Sequence, residues 1–402
     1  MRAIFADKNI PRILLTKTLT PLWPGFVWTP LSSARAAQLP DPPLPGPRWL
    51  RMKNQACGIC ASDLSLLFAQ ADPSVMPAAL PGLYRFWLGH EVISVVTEAG
   101  PGVTRFRIGD RVVMDTYFAG ATCATLEIEP VCRYCSEGLP QFCLNKSAPG
   151  PRGAGGGFGD SYVAHETALY RVPDSLSSDQ AAMVEPLSIA HHAVLRHLPR
   201  PGEKVLVIGA GIIGLFTVMA LRALALEAEI SAVARHPHQQ NMAEKLGARH
   251  ILQGSSYAEV ERVTGGRYFS APLNRGVVTG GFDVIFDCVA DEQTTNNALR
   301  WTRAGGTVVM VGSHLSPMPK VDLTPVWFHQ VNLIGTYGHG MEHLPGGRKH
   351  TYDIIFDGFR DGRLDITGLI THRFPLRDYK EAIRVATSKG PEKAIKVLFE
   401  VD

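Results

Sequence analysis

Two kinds of hydrophobic patterning divide the chain. Up to about residue 180, short runs that alternate apolar and polar positions, such as HEVISVV, DRVVMD and SYVAH, are punctuated by Gly, Pro and Asp. Period-two runs at that spacing predict a mainly β domain of barrel-like type. An N-terminal strand region precedes it. The proline-rich stretch 37–48, AQLPDPPLPGPR, joins that region to a strand over Trp49–Ala56. After Pro201-Gly202 the character changes. KVLVIGAG (204–211) is a continuous apolar strand entering a glycine turn, and IIGLFTVMALRALAL reads as a buried helix. Strand EISAVA (229–234), polar helix HQQNMAEKLGA, strand FDVIFDCVA (282–290), helix TTNNALRWTR and strands GTVVMVG (306–312) and VNLIGTY (331–337) follow. Strands alternating with helices of this length predict βαβ units around a parallel sheet, an α/β fold. From about 345 come two helical patterns and a final strand, AIKVLFEVD. The insert 255–281 is long for such a connection, and its pattern discloses no role.

At 402 residues the chain exceeds one ordinary core and implies two domains or three. Hydrophobic residues at 45% and charged residues at 19% describe a folded globular chain rather than a disordered one. A formal net charge of +3 is too thin for a nucleic-acid footprint. Asp7, Lys8, Arg12 and Lys17 interrupt any leader-like apolar core, and the longest apolar stretch, Val205–Ala225, is broken by three glycines and Arg222. A cytoplasmic protein with no membrane partner is therefore expected. Seven cysteines, four of them within residues 123–143, argue against a secreted disulfide framework and for metal chemistry.

Gly209-Ala210-Gly211-Ile212-Ile213-Gly214 places GxGxxG directly between a strand and a helix, the context in which that motif cradles a dinucleotide pyrophosphate. At the end of the next strand, Ala234 is followed by Arg235 and His236. No carboxylate stands there to hold a ribose 2′-hydroxyl, and a guanidinium is present to bind a 2′-phosphate, so NADP(H) is expected in preference to NAD(H).

Cys60 (in CGICASD), His90 (in GHE) and Glu185 (in EP) each have an ordinary structural reading taken singly: buried thiol, core imidazole, surface carboxylate. Together they supply a thiolate, an imidazole and a carboxylate, three ligands for a tetrahedral zinc with one open position for substrate. Cys123, Cys132, Cys135 and Cys143 form C-x8-C-x2-C-x7-C, for which a closed structural zinc is the leading reading and an empty lobe of thiols the rival. Cys57 and Cys288 sit in apolar strand patterns and read as buried thiols.

CGICASDL, LGHEVISVV, RFRIGDRVV, MVEPLSIAHHAV, KVLVIGAGIIGL, FDVIFDCV and RAGGTVVMVG occur in the order found in zinc-containing medium-chain dehydrogenases/reductases, the alcohol and polyol dehydrogenase superfamily, which the chain resembles over residues 40–402. The resemblance implies a GroES-like catalytic domain over 1–185 and 339–402, with the zinc lobe at 120–145, around a Rossmann domain over 186–338. It implies Cys60, His90 and Glu185 as catalytic zinc ligands, with Glu91 beside or in the coordination sphere. Ser62 stands where the family relays the substrate proton, and Asp63 where it anchors the loop and orients His90. The family often carries a relay histidine five residues after the zinc cysteine; here that position is Ser65. In the usual lobe the first ligand falls at Glu129, so Glu129 rivals the favoured Cys123. Lys396 matches a position that can reach the pyrophosphate, and Thr336 and Tyr337 fall near the nicotinamide. Leu67, Phe68, Tyr84, Phe86 and Trp87 either shape a substrate pocket or pack a core.

The expected activity is hydride transfer between NADP(H) and a secondary alcohol, polyol or ketone, in a homodimer or homotetramer. A non-catalytic NADP(H)-binding paralogue and a quinone or enoyl reductase on the same fold are the alternatives.

Overall fold

Residues 49–55 alternate between buried and more exposed positions and 56–58 are buried on both faces, so Trp49–Gly58 forms a long strand that borders solvent at one end and enters the core at the other. A computed structural model describes residues 1–72, 85–115, 122–147, 155–225, 227–254, 256–272 and 275–401, and Tyr84 lies outside the described residues. The chain divides into two compact units, one of residues 1–185, 343–360 and 365–402 and the other of 186–342 and 361–364.

In the first unit, seven strands form one sheet. Its order runs Ile370–Pro375, Lys396–Glu400, Trp49–Gly58, Glu91–Ala99, Arg111–Met114 and Leu169–Arg171, with Ser161–His165 pairing along the first half of Trp49–Gly58. All of these pairs are antiparallel except that of Ile370–Pro375 with Lys396–Glu400. Leu50, Met52, Val92, Val96, Val112, Phe158 and Phe399 are central to its core. A second sheet orders Ala34–Gln38, Arg2–Asp7 and Arg85–Trp87. The stretch between its first two strands in sequence is not strand, as the pattern suggested, but a helix, Ile10–Leu19, and a 3-10 turn, Pro24–Trp28. Asn9 caps the helix by accepting from Arg12 N–H at 3.1 Å, a local signal the apolar count masks.

The second unit holds six parallel strands in the order His250–Leu252, Glu229–Val233, Lys204–Ile208, Phe282–Asp287, Thr302–Met310 and Asn332–Gly335. In sequence terms this is 3-2-1-4-5-6, the doubly wound arrangement that binds dinucleotides where the strand order reverses. Leu206, Ile208, Leu252, Phe282, Ile285 and Val308 fill its core. Within the insert 255–281, a helix (Tyr257–Thr264) leads into an antiparallel hairpin, Arg267–Ala271 with Arg275–Thr279. Tyr257 stacks on Tyr268 at 4.5 Å, and Val278 reaches the core. The insert is thus folded and packed, not a loose loop.

Candidate active site and metal centres

Cys60 ends the turn after Trp49–Gly58 and precedes the helix Ala61–Leu67. Asp63, buried on the first turn of that helix, accepts from Cys60 N–H at 3.3 Å and from Gly89 N–H at 2.9 Å. Its Oδ1 also lies 3.4 Å from His90 Nδ1. One carboxylate therefore ties the Cys60 turn to the His90 turn. Gly89 has φ +83°, and a Cβ there would stand 2.5 Å from Phe158 N, so only glycine lets the chain turn here. Burial opposes charge on His90, but Asp63 and the Cys60 sulfur outweigh it and hold the imidazole well above its usual value. Ser62 Oγ donates to Cys60 Sγ at 3.2 Å.

Donor atoms of Cys60, His90 and Glu91 all lie within 4.8 Å of one another. Glu185 stands outside this group on the helix Val184–Arg196, 5% exposed. Burial pushes its carboxyl up to about 7 while His90 pulls the other way. Sulfur, nitrogen and carboxylate donors are those zinc takes, and a buried carboxylate gains from a cation beside it, so these residues fit a catalytic zinc.

The four cysteines of the lobe also converge. Sγ of Cys123, Cys132, Cys135 and Cys143 lie within 4.8 Å of one another, with Cys123 to Cys143 at 3.6 Å and Cys132 to Cys143 at 3.9 Å. Sulfurs about 2.3 Å from a tetrahedral zinc are about 3.8 Å apart, so the spacing fits. Their sulfurs accept N–H donors: Cys132 N–H and Asn145 Nδ2 to Cys123, Leu144 N–H to Cys132 and Asn145 N–H to Cys143. Such donors favour thiolate, and the Leu144 amide brings Cys132 down to about 6, whereas at Cys135 and Cys143 burial outweighs them and raises both thiols. Glu129 is exposed and outside the group.

In the second unit Gly209 has φ +95°, and a Cβ on Gly214 would stand 1.7 Å from Gly209 O. Gly211 caps the helix Ile212–Leu224, whose first residues are Ile212 and Ile213. That leaves a side-chain-free cradle at a helix N-terminus, which fits a dinucleotide pyrophosphate. Arg235 is exposed just beyond Glu229–Val233, and His236 stacks on His238 at 5.7 Å. Thr336 follows the last strand, with its Oγ1 buried and without a hydrogen-bond partner among the described residues.

The sequence profile of the alcohol dehydrogenase GroES-like domain matches residues 46–174, and that of the zinc-binding dehydrogenase domain matches 213–347. An L-idonate 5-dehydrogenase of Vitis vinifera is 30% identical over 367 residues, covering 89% of this chain and 89% of its own. This chain belongs to the zinc-containing medium-chain alcohol and polyol dehydrogenase superfamily. A sorbitol dehydrogenase of Arabidopsis thaliana is 29% identical over 374 residues, 89% of this chain and 90% of its own. The fold is likewise that of the 2R,3R-butanediol dehydrogenase of Bacillus subtilis, at TM-score 0.72 and 23% identity over 100% of this chain and 99% of that one. The dehydrogenase is thus an enzyme of the zinc-dependent alcohol dehydrogenase type, a GroES-like β unit with a Rossmann sheet.

One expectation for this dehydrogenase needs correcting. Lys396, assigned to the pyrophosphate, is 1% exposed; its ammonium pairs with Glu91 and donates to Ile59 O at 3.2 Å. The final strand lies against Trp49–Gly58, which turns this side chain inward to Glu91, with Cys60 and Glu185 also favouring its charge against burial. Of the apolar cluster, Leu67 and Phe68 pack on the core, and Trp87 rests on Phe5 at 5.2 Å, so core packing accounts for these three. Cys57 is fully buried, and burial raises its thiol well above the usual value.

Asn54 went unnoticed in the sequence. Buried in mid-strand, it donates to Gly156 O at 3.0 Å and Gly159 O at 2.7 Å and accepts from Ser94 Oγ at 2.9 Å. The glycine loop it holds supports the metal-site turn, because Gly157 N–H donates to Gly89 O at 2.7 Å. Its one signal was a polar residue at an inward strand position.

Proposed function

We propose that this dehydrogenase transfers hydride between NADP(H) and a secondary alcohol, a polyol or the corresponding ketone. The gathering of Cys60, His90 and Glu91, with Ser62 Oγ 3.2 Å from the Cys60 sulfur, carries the reading. Cys60, His90 and the carboxylates of Glu91 and Glu185 would hold the catalytic zinc, with Cys123, Cys132, Cys135 and Cys143 holding the structural one. When bound, zinc supplies Lewis-acid polarisation of a substrate oxygen, and the nicotinamide supplies the hydride carrier.

The protein's own groups do the rest. Asp63 holds Cys60 and His90 in register. Ser62, whose hydroxyl donates to the Cys60 sulfur, takes the proton of the substrate alcohol. With Ser65 where a relay imidazole often stands, the proton would leave Ser62 either through water and the ribose hydroxyls of a bound nucleotide or through another histidine. Gly209, Gly211 and Gly214 would leave room for a pyrophosphate at the helix that Ile212 and Ile213 open, and Thr336 would serve the nicotinamide end of the cofactor. Arg235, exposed with no carboxylate beside it at the strand end, supports the preference for a 2′-phosphate.

The names of the polyol and sugar-acid dehydrogenases among its relatives support a substrate with neighbouring hydroxyls. Cysteines gathered as metal donors, at Cys60 and in the four-cysteine lobe, fit a reducing, cytoplasmic setting. Trp327, Phe328 and Leu333 are exposed at and beside the edge strand Asn332–Gly335, which supports a homodimer or a homotetramer built through that edge.

A panel of alcohols, polyols and ketones, followed by NADPH and NADH absorbance, tests the reading. Turnover is expected with a secondary alcohol and NADP⁺, lost on zinc chelation and restored by zinc. Full turnover in verified metal-free protein would overturn it.

A further inference from the structure

The helix Ile10–Leu19 buries a polar residue and leaves several of its apolar ones exposed. Thr16 faces inward at 0% exposure, its hydroxyl donating to Arg12 O at 2.7 Å and accepting from Ser33 N–H at 2.9 Å. Outward on the same helix stand Ile10, Leu14 (57% exposed) and Leu15, with Lys17 beside them. At 100° per residue these four fall within one 160° arc, and Thr16 lies opposite. Just beyond the helix, Leu22 and Trp23 are 82% and 59% exposed, and Leu31 is exposed as well. Six large apolar side chains exposed within twenty-two residues of sequence point to a contact site. The segment precedes residue 46, where the match to the GroES-like domain begins.

Charge identifies the partner. Residues 8–40 contain Lys8, Arg12, Lys17 and Arg35 and no acidic residue. That stretch alone carries +4 against a formal +3 for the whole chain, so all other residues sum to −1. The nearest carboxylate, Asp7, is shared among Arg12, Arg35 and Arg85 at 3.7, 3.5 and 3.2 Å. A second copy docking here by two-fold symmetry would bring this cationic surface against itself. A water-soluble acidic partner would meet the cations but has no particular use for a protruding Leu22 and Trp23.

We propose that Ile10–Leu31 is a peripheral attachment site for an anionic membrane surface. Ile10, Leu14, Leu15, Leu22 and Trp23 enter the boundary between headgroups and acyl chains, and Lys8, Arg12 and Lys17 meet the anionic headgroups. The expectation of no membrane partner rested on the lack of a spanning helix, and no helix among the described residues is long and apolar enough to cross a bilayer. Surface attachment needs none.

The test is co-sedimentation of the full-length, zinc-loaded protein with vesicles of phosphatidylcholine alone or with about one third phosphatidylglycerol, at low and high salt. Partition onto the anionic vesicles only, reversed by salt, is expected. Leu14→Glu with Trp23→Ser should lower it at least tenfold. Lys8→Gln and Lys17→Gln should each lower it about fivefold. Turnover and the thermal transition should stay unchanged in all of these, because none of these side chains is buried. No partition of the parent protein at low salt would overturn the proposal, as would equal partition of the variants. So would a drop in molar mass of the Leu14→Glu, Trp23→Ser protein, which would make this face a contact between copies.

Discussion

Asp63 Oδ1 lies 3.4 Å from His90 Nδ1 and accepts from Gly89 N–H, so the carboxylate that orients the imidazole also fixes the turn that carries it. Because Asp63 Oδ2 accepts from Cys60 N–H as well, two elements distant in sequence share one anchor. Asp63→Asn keeps the size but removes the charge and reverses one acceptor into a donor. A fall of about 10- to 100-fold in zinc affinity and kcat/KM is expected. Zinc competition with a chromophoric chelator, alongside steady-state kinetics, measures both. An unchanged affinity would place the anchoring in the loop backbone.

Glu91 and Lys396 are each 1% exposed and paired to one another. Lys396→Met leaves a carboxylate buried without its partner, a change that costs about 3–5 kcal/mol. Adding Glu91→Gln should recover a large part of that loss. A double-mutant cycle by chemical denaturation of the metal-free protein, where no zinc competes for Glu91, reads the coupling directly, and additive losses would show that the pair contributes nothing as a pair.

Cys123→Ser should remove about one zinc per chain and lower the thermal transition, since it deletes a donor from a closed site. Glu129→Gln, at an exposed position, should do neither. Metal analysis with a thermal scan separates the two. The opposite ranking would move the fourth ligand to Glu129.

His191 sits 1% exposed in its helix, its Nδ1–H donating to Leu187 O at 2.9 Å. Burial lowers its pKa from 6.5 to about 4. Between those values the unfolded chain binds the proton that the folded one refuses, so stability is full above about 6.5 and falls as pH drops toward 4, by up to about 3 kcal/mol. In His191→Asn, which keeps an amide donor near Leu187, the denaturation midpoint should depend less on pH across that window. An identical slope would assign the acid loss to other groups.

Arg235→Asp should reverse the cofactor preference, weakening NADP⁺ by about 10- to 100-fold through repulsion of the 2′-phosphate while offering NAD⁺ an acceptor for its 2′-hydroxyl. The ratio of kcat/KM for the two cofactors is the measurement. An unaltered ratio would exclude this position as the selector.

Much of the architecture was legible because its signals are local. The run KVLVIGAGIIG specifies strand, turn and helix in eleven consecutive residues, since an apolar strand, a positive-φ glycine and a close helix approach each demand particular side chains. The helix Ile10–Leu19 was missed for a related reason. Periodicity reports where apolar residues fall, not which face the protein buries, and here the polar Thr16 was the inward one.

The sequence by itself determined the alternation of strands and helices around the glycine cradle, the cradle itself and the supply of metal donors, but not the helix Ile10–Leu19 or the hairpin of the insert. Backbone conformation and ligand chemistry are set by neighbouring residues, and those are printed in the chain. Tertiary structure alone decided which donors meet. It placed Glu91 rather than Glu185 in the group with Cys60 and His90, brought Cys123 back over the insertion to the other three thiols, and turned Lys396 inward to Glu91. Each outcome joins residues that no local rule connects. Each follows from burial, because a charge or thiol withdrawn from water must take its partner from whatever the packed chain places beside it.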